Sequence, residues 1–347
     1  MDKYLKNTIL AILLVLFTTI LFISNLFVYP ISCENEDYIL SIEANNSASH
    51  IGEELSKNSC INKNLFKIAI YLSFNQSNIK PGLYSLKGIR TYRDLIKLIT
   101  SISDERIRFT IYEGLTINEL ALGLSEKLNI DKDDFIELCY NKNFIKTLGI
   151  TYDVNSLEGF LYPDTYIFLD TYTEKDILRI LTKRFMDIIN TQIYPILNLT
   201  ELNLVEIITL ASIIQGEAMI VNEMPLISTV YHNRMKRKMK LEADPTVLYY
   251  MKNDDLDYFI ENLGNKKSTK IFRKYKKMDN LYNTYMHKGL PVGPINNPGL
   301  SALKASIMPL DTNKVFLYFV ADGTGGHIFT ENLKDHKIAI KKVRSGH

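Results

Sequence analysis

TILAILLVLFTTILFISNLFVY, residues 8–29, contains no charged side chain. At about 1.5 Å of rise per residue, roughly 20 apolar residues in a helix cross a hydrocarbon core. Lys3 and Lys6 precede the stretch, and Glu34, Glu36 and Asp37 follow it. Positive charge ahead of a span keeps the N-terminus cytoplasmic and sends the remainder across. A cleaved signal peptide fits less well, because the apolar run exceeds a usual signal core and no small-x-small site ends it. A lipoprotein site at Cys33 is a poor match, since Pro-Ile-Ser stands before it. The expectation is a single-pass anchor over 8–29 in the plasma (inner) membrane. Residues 1–7 are then cytoplasmic and the rest of the chain extracytoplasmic.

Outward from the span, the composition is ordinary. The 347 residues are 46% hydrophobic and 23% charged, with 41 Lys+Arg against 39 Asp+Glu. Such a balance excludes a disordered, collagen-like or disulfide-dense chain. A net charge of +2 gives no reason to expect a nucleic-acid partner. Cys33, Cys60 and Cys139 cannot all pair and form no CxxC, which argues against a zinc site or a disulfide framework. Pairing of Cys60 with Cys139 stays open.

Residues 38–100 read as a small alternating unit. Tyr38–Ile42 alternates like a strand, and Ser49 is placed to cap a helix carrying Ile51 and Leu55. Asn62 caps a second helix, Pro81-Gly82 turns the chain into a strand at Leu83–Leu86, and Thr91 opens another helix. Strand-helix-helix-strand in so short a span is the order of a small glycan-binding module, although other small α+β domains share it. A strand follows at Arg106–Tyr112, then a helix introduced by a Thr116/Glu119 capping box. Further helices are expected at 132–141, 174–190, Glu206–Met219 and Pro225–Arg237. Lys252–Asn280 is polar and lysine-rich and reads as a loop or mobile insertion. Strands at Val315–Val320 and His327–Thr330 flank Asp322-Gly323-Thr324-Gly325-Gly326, a hairpin turn rather than a phosphate loop, because no helix and no Lys-Ser/Thr follow it.

The candidate chemistry lies in carboxylates. His232, His287, His327 and His336 show no HExxH or His-x-His pairing, and no GxSxG elbow is present. The segment Ile207–Ala218 is apolar until its last turn. Ile207, Leu210, Ala211 and Ile214 share a face, with Glu217 at its flank. Gln215 projects about 160° from Glu217, since positions i and i+2 do not share a helix face. A carboxyl beside such an apolar stripe holds its proton more tightly than in water, as a general acid requires. Each signal also has an ordinary structural reading: a structural or solvated helix end for Glu217, an Asx turn for Asp244-Pro245-Thr246 and a helix end for Asn233-Arg234. Lys236-Arg237-Lys238-Met239-Lys240 reads as a solvated face, and Tyr282-Asn283-Thr284-Tyr285 as a rigid loop that also suits sugars.

In this order the blocks resemble the bacterial endolytic murein transglycosylase, or YceG-like, family. They are LEGFLYPDTY at 157–166, LASIIQGEA at 210–218, STVYHNRMKRKMKLEADPTVLY at 228–249, YNTYMHKGLPVGPINNPGLSALKASIMP at 282–309 and LYFVADGTGGHIFTENLKDHKIAI at 317–340. The resemblance implies an α+β fold with a single transmembrane helix. A small LysM-like βααβ subdomain at 38–100 and a larger α+β catalytic domain at 101–347 complete it. It implies a membrane-anchored enzyme that cuts inside peptidoglycan strands, with no metal or cofactor, and it suggests the peptidoglycan synthesis machinery as a partner. The family's catalytic glutamate closes a Glu-x-Glu pattern and falls on Glu217. The first position is Gln215 here, a departure expected to alter support or binding. Gln215, Asn233, Arg234, Asp244, Thr246, Asn283, Thr284 and Tyr285 are the expected sugar-binding residues. Asn233, Asp244 and Tyr285 in particular would support the oxocarbenium-like state. Asp244, Asp164 or Glu158 as a second carboxylate would instead make the chain a hydrolytic muramidase. The change at Gln215 also leaves a catalytically silent wall-binding scaffold as an alternative.

Overall fold

The computed structural model describes residues 3–33, 38–42, 46–100, 106–169 and 172–345. The acidic group Glu34, Glu36 and Asp37 lies outside the described residues. The fold mixes helix and sheet and divides into two compact units. One comprises Met1–Phe109 with Tyr166–Ile180, the other Thr110–Thr165 with Leu181–His347.

In the first unit, α1 (Lys3–Val28) is long and apolar enough over Asn7–Val28 to cross a membrane. Leu10, Leu14 and Phe17 stand exposed along it, as side chains meant for lipid would. Its last turn behaves differently, because Leu26 is buried in one core with Phe66, Ala69 and Ile70. The chain beyond it is stitched down. Pro30 bridges to Thr91, the Ile31 amide donates to the Arg90 carbonyl at 2.8 Å, and Cys33 is disulfide-bonded to Cys60.

The expected strand-helix-helix-strand order follows as β1 (Ile39–Ile42), α2 (Ala48–Lys57), α3 (Lys63–Leu72) and β2 (Gly82–Ser85). The strands pair antiparallel, with Ile39 opposite Ser85 and Ile42 opposite Gly82. Asn62 caps α3 as expected, accepting from the amides of Asn64 and Leu65. Ser47 rather than Ser49 caps α2, because Ser47 holds the extended conformation that a cap needs while Ser49 is already helical. Thr91 and Asp94 exchange side-chain and backbone hydrogen bonds at the start of α4 (Tyr92–Thr100). The strands β3 (Arg106–Thr110) and β4 (Thr165–Leu169) form a separate two-stranded sheet.

The cysteine expectation is corrected. Cys139 is a buried free thiol, and Cys60 takes Cys33, which the stitched segment after α1 returns to it.

The second unit is largely helical. Its helices begin with α5 (Ile117–Ser125), α6 (Lys132–Tyr140) and α7 (Lys142–Thr147). The first half of α8 (Glu174–Ile188) groups with the first unit and its second half with the second. Next come α9 (Leu204–Glu217), α10 (Met224–Lys236) and α11 (Asp244–Tyr249). The lysine-rich segment is not a loop. It folds as α12 (Asn253–Glu261) and α13 (Lys266–Tyr275). Its sparse apolar residues Leu256, Phe259, Ile271 and Phe272 pack on a small core of Val247, Met251 and Tyr275. α14 (Leu300–Ile307) packs on α9. The hairpin β5 (Tyr318–Ala321) and β6 (His327–Thr330) then leads into α15 (Leu333–Ser345). The turn at 322–326 is the expected hairpin turn, organised by the Asp322 carboxylate, which accepts from the amides of Thr324 and Gly326.

Cys33 and Cys60 are 27 positions apart. A cross-link of that span restricts the unfolded chain enough to contribute about 3.5 kcal/mol. Cys60→Ser is expected to lower the thermal midpoint of the first unit, and reductant to lower that of the wild type but not of the variant. Scanning calorimetry with and without reductant checks this.

Candidate active site

The helix that positions the key carboxyl is buried on every side. Asn203 and Glu206 form a reciprocal capping box at the start of α9. From Ile207 to Ile214 each residue is buried, including Thr209 and Ser212. The single apolar stripe expected from the sequence is therefore a helix apolar all round, as a central core helix must be. Ser212 Oγ accepts from the Ile295 amide at 3.0 Å, and Asn296 Nδ2 donates to the Ser212 carbonyl at 2.8 Å. Those bonds fix the Pro294–Gly299 loop against the helix. Gly216 permits a second close approach, since a Cβ there would stand 2.9 Å from Pro245 Cβ.

Glu217, the last residue of α9, opens onto a cavity of about 400 Å³. The Tyr231 hydroxyl, from α10, donates to Glu217 Oε1 at 2.8 Å. Burial pushes the Glu217 carboxyl up to about 7, and the Asp244 charge pushes the same way. The Tyr231 hydroxyl, the Arg234 charge and the Asp244 backbone pull it down. A helix C-terminus further disfavours the anion. Burial holds the Tyr231 phenol well above its usual range, so it stays a donor.

The cavity brings together four of the sequence-predicted residues: Glu217, Arg234, Asp244 and Tyr285. Arg234 is buried. Its Nε donates to the Leu317 carbonyl at 2.7 Å, and its Nη1 to the carbonyls of Lys240 and Leu241 and to Glu242. It thus ties β5 and the turn after α10 into one wall. Asp244 opens α11, and its Oδ1 accepts from the Tyr285 hydroxyl. Lys276 Nζ lies 3.6 Å from the centre of the Tyr285 ring.

The other predicted residues stand behind or away from the cavity. Thr246 and Thr284 are buried and share a hydroxyl contact of 2.9 Å, while Thr284 Oγ1 also accepts from the Ala243 amide. Asn283 is buried, donates to three carbonyls and accepts from the Tyr285 amide, holding that residue's backbone. Asn233 donates to the Phe316 carbonyl at 3.0 Å. Gln215 accepts from the Gly299 amide at 3.1 Å, so it diverges from Glu217 as its spacing requires.

Of the carboxylates considered as a second group, only Asp244 lines the cavity. Asp164 is paired with Arg184 at 2.9 Å. Glu158 is buried, accepting from the Ile117 amide, the Tyr249 hydroxyl and Asn297 Nδ2. Tyr231, Glu242, Phe319, His327 and His336 also belong to the cavity wall or its support. Sequence reading missed Tyr231 and Phe319 because nothing local marks a tyrosine or phenylalanine as more than core. Among the described residues, no group of three His, Cys, Asp or Glu side chains is arranged to hold a metal.

With this fold and cavity in place, comparison gives the class. The model of the YceG-like family matches residues 40–342, and the chain belongs to that family. It is 30% identical over 321 residues to the endolytic murein transglycosylase of Bacillus subtilis strain 168, covering 88% of this chain and 84% of that protein. It is 25% identical to the protein of the same name from Streptococcus pneumoniae strain D39, covering 88% of this chain but 58% of that longer protein. A solved structure of a yceG-like protein from Listeria monocytogenes superposes with a TM-score of 0.56 at 26% identity, over 88% of this chain and 99% of that one.

Burial pushes the Glu158 carboxyl up to about 8, against the pull of the Ile117 amide and the Tyr249 hydroxyl. A carboxyl raised on folding binds its proton more tightly in the native than in the unfolded state. Stability from this group is therefore full below the unfolded value near 4.5 and is lost as pH rises toward 8. Glu158→Gln is expected to flatten the fall of the thermal midpoint between pH 5 and 8, read by melts across that range.

Proposed function

We propose that this chain is a membrane-anchored endolytic peptidoglycan lytic transglycosylase with Glu217 as its general acid and base. The observation that carries this reading is one carboxyl, raised to about 7, standing at a cavity with a phenol fixed on one of its oxygens. Tyr231 donates to Oε1 and the Asp244 backbone also reaches the carboxyl, so the proton donor is held in place at the cavity. The names of the curated relatives support the substrate, peptidoglycan.

The glycan bond addressed is the β-1,4 link from N-acetylmuramic acid to N-acetylglucosamine. Protonated Glu217 donates to the glycosidic oxygen as the bond from muramoyl C1 to that oxygen breaks. The carboxylate then takes the proton of the muramoyl C6 hydroxyl while O6 bonds to C1. The products are a free hydroxyl on N-acetylglucosamine and a 1,6-anhydro end, Glu217 is protonated again, and no water is consumed. Asp244, with Tyr285 on one oxygen, faces the developing positive charge. A muramidase reading depends on Asp244 alone, because Asp164 and Glu158 are engaged elsewhere.

Residues 38–100 serve in this reading as a LysM-like glycan-binding subdomain and 101–347 as the catalytic domain. The chain acts outside the cytoplasm, held by α1. The Cys33–Cys60 disulfide favours that side, since such bonds persist in oxidising compartments. Action inside nascent strands would terminate their elongation beside the synthesis machinery.

Full-length protein in detergent is expected to release anhydro-ended fragments from purified peptidoglycan, read by mass spectrometry. Glu217→Gln abolishes this, and reducing ends in place of anhydro ends would mark a hydrolase. The acid form is the active one, so kcat/KM falls as pH rises through about 7. Tyr231→Phe removes a hydrogen bond that favours the anion, so the alkaline limb moves to higher pH while kcat falls. A limb that stays in place in Tyr231→Phe would contradict the role given to that phenol.

A further inference from the structure

The cavity carries a second polar device that the Glu217 chemistry does not use. His327, the first residue of β6, lines the cavity with its side chain 8% exposed. Glu223 grips it twice. One carboxylate oxygen accepts from the His327 amide at 3.0 Å and the other from Nδ1 at 2.7 Å. A carboxylate only accepts, so Nδ1 bears a hydrogen, and Nε2 is the ring nitrogen left outside the grip. That nitrogen has no partner among the described residues.

The neighbouring sequence is built around this grip. A Cβ at Gly326 would stand 3.1 Å from Glu223 Oε1 and 3.0 Å from Asp322 Oδ2, so the glycine admits the carboxylate. The Asp322-centred turn then sets the position of β6. Phe319 lies between Tyr231 and His327 on the cavity wall, its ring perpendicular to both, at 5.9 Å from Tyr231 and 5.2 Å from His327 between ring centres. His327 is therefore displaced along the wall from the Glu217–Tyr231 pair. His336 on the same wall stacks on Tyr318 and leaves its buried Nδ1 unpartnered, a second imidazole with bonding capacity to spare.

We propose that the Glu223–His327 pair is a sugar-binding subsite, in which His327 Nε2 accepts a hydrogen bond from a hydroxyl of the glycan at a sugar beyond the scissile bond. This rests on the transglycosylase reading for the identity of the ligand. Glu223 is a positioning residue that fixes the orientation of the ring, and Phe319 supplies adjacent aromatic surface for a pyranose.

The test uses full-length Glu217→Gln protein in detergent micelles, titrated calorimetrically with a soluble oligosaccharide of alternating N-acetylglucosamine and N-acetylmuramic acid. Adding His327→Ala is expected to weaken binding about tenfold, the size of one hydrogen bond to a well-placed group. Adding His327→Gln, whose amide oxygen restores an acceptor near Nε2, keeps affinity within about threefold of the background. In the cleaving enzyme, His327→Ala raises KM and leaves kcat nearly unchanged. Equal weakening by the two substitutions marks a structural clasp and overturns the proposal, as does undiminished binding in His327→Ala. Either result leaves the scission reading intact, because scission is scored separately by anhydro ends from the wild-type chain. Their absence overturns that reading instead.

Discussion

The second unit is organised by the burial of α9 on all sides up to a carboxyl at its end. Removing a carboxylate from water is costly, and the protein has two ways of meeting that cost. Glu158 is walled in by an amide, a phenol and a side-chain amide, so its capacity is filled by structure. Glu217 receives one side-chain hydroxyl and faces a cavity. Both are raised by burial, so a shifted proton affinity does not tell them apart. Access does. A proton donor has to reach its acceptor, and only Glu217 stands where a ligand can enter.

Positioning that carboxyl requires contacts from widely separated segments. The 294–299 loop is fixed to α9 by Ser212 and Asn296, and Gln215 holds the Gly299 amide. Gly216 lets the Asp244-Pro245 corner press against the helix end. Asn283 and Thr284 then carry Tyr285 to Asp244. Gln215 thus gains a physical account. It is a backbone acceptor on the far side of the helix, a task in which a neutral amide oxygen serves as a carboxylate oxygen would.

What was legible in the sequence was what local rules determine. The α1 span, the strand-helix-helix-strand order, the Asn62 cap, the Thr116/Glu119 box and the 322–326 turn all follow from residues within a few positions of one another. Glu217 stands out locally as an acid ending an apolar helix, a pattern that a structural glutamate also gives, and its catalytic assignment rests on the family resemblance. The missed features are non-local or masked by composition. Tyr231 meets Glu217 across 14 positions, and Glu223 meets His327 across 104. The helices α12 and α13 were hidden because their few apolar anchors are scattered among lysines. Cys33 found Cys60 through backbone pairing at Arg90 and Thr91, which no spacing rule announces. Thr246 and Asn283 are buried with their side-chain polar atoms bonded to other parts of the chain, and Asn233 gives an amide hydrogen to the Phe316 carbonyl, pairings that no local rule announces.

The way α1 joins its unit bears on how an anchored enzyme of this kind would work. A flexible tether lets a domain sample a range of heights above the membrane, and its reach grows with the number of free residues. Here the last turn of α1 lies in the core with Leu26, and the next residues are held by the Pro30 bridge, the Ile31 hydrogen bond and the Cys33 disulfide. Among the described residues, no free linker stands between the apolar helix and the rest of its unit. In the membrane-anchored reading, the height of that unit is set by packing and covalent bonding rather than by chain entropy. A glycan-binding surface on it would then meet strands at a fixed distance from the bilayer, which suits strands still close to the membrane better than mature wall farther out.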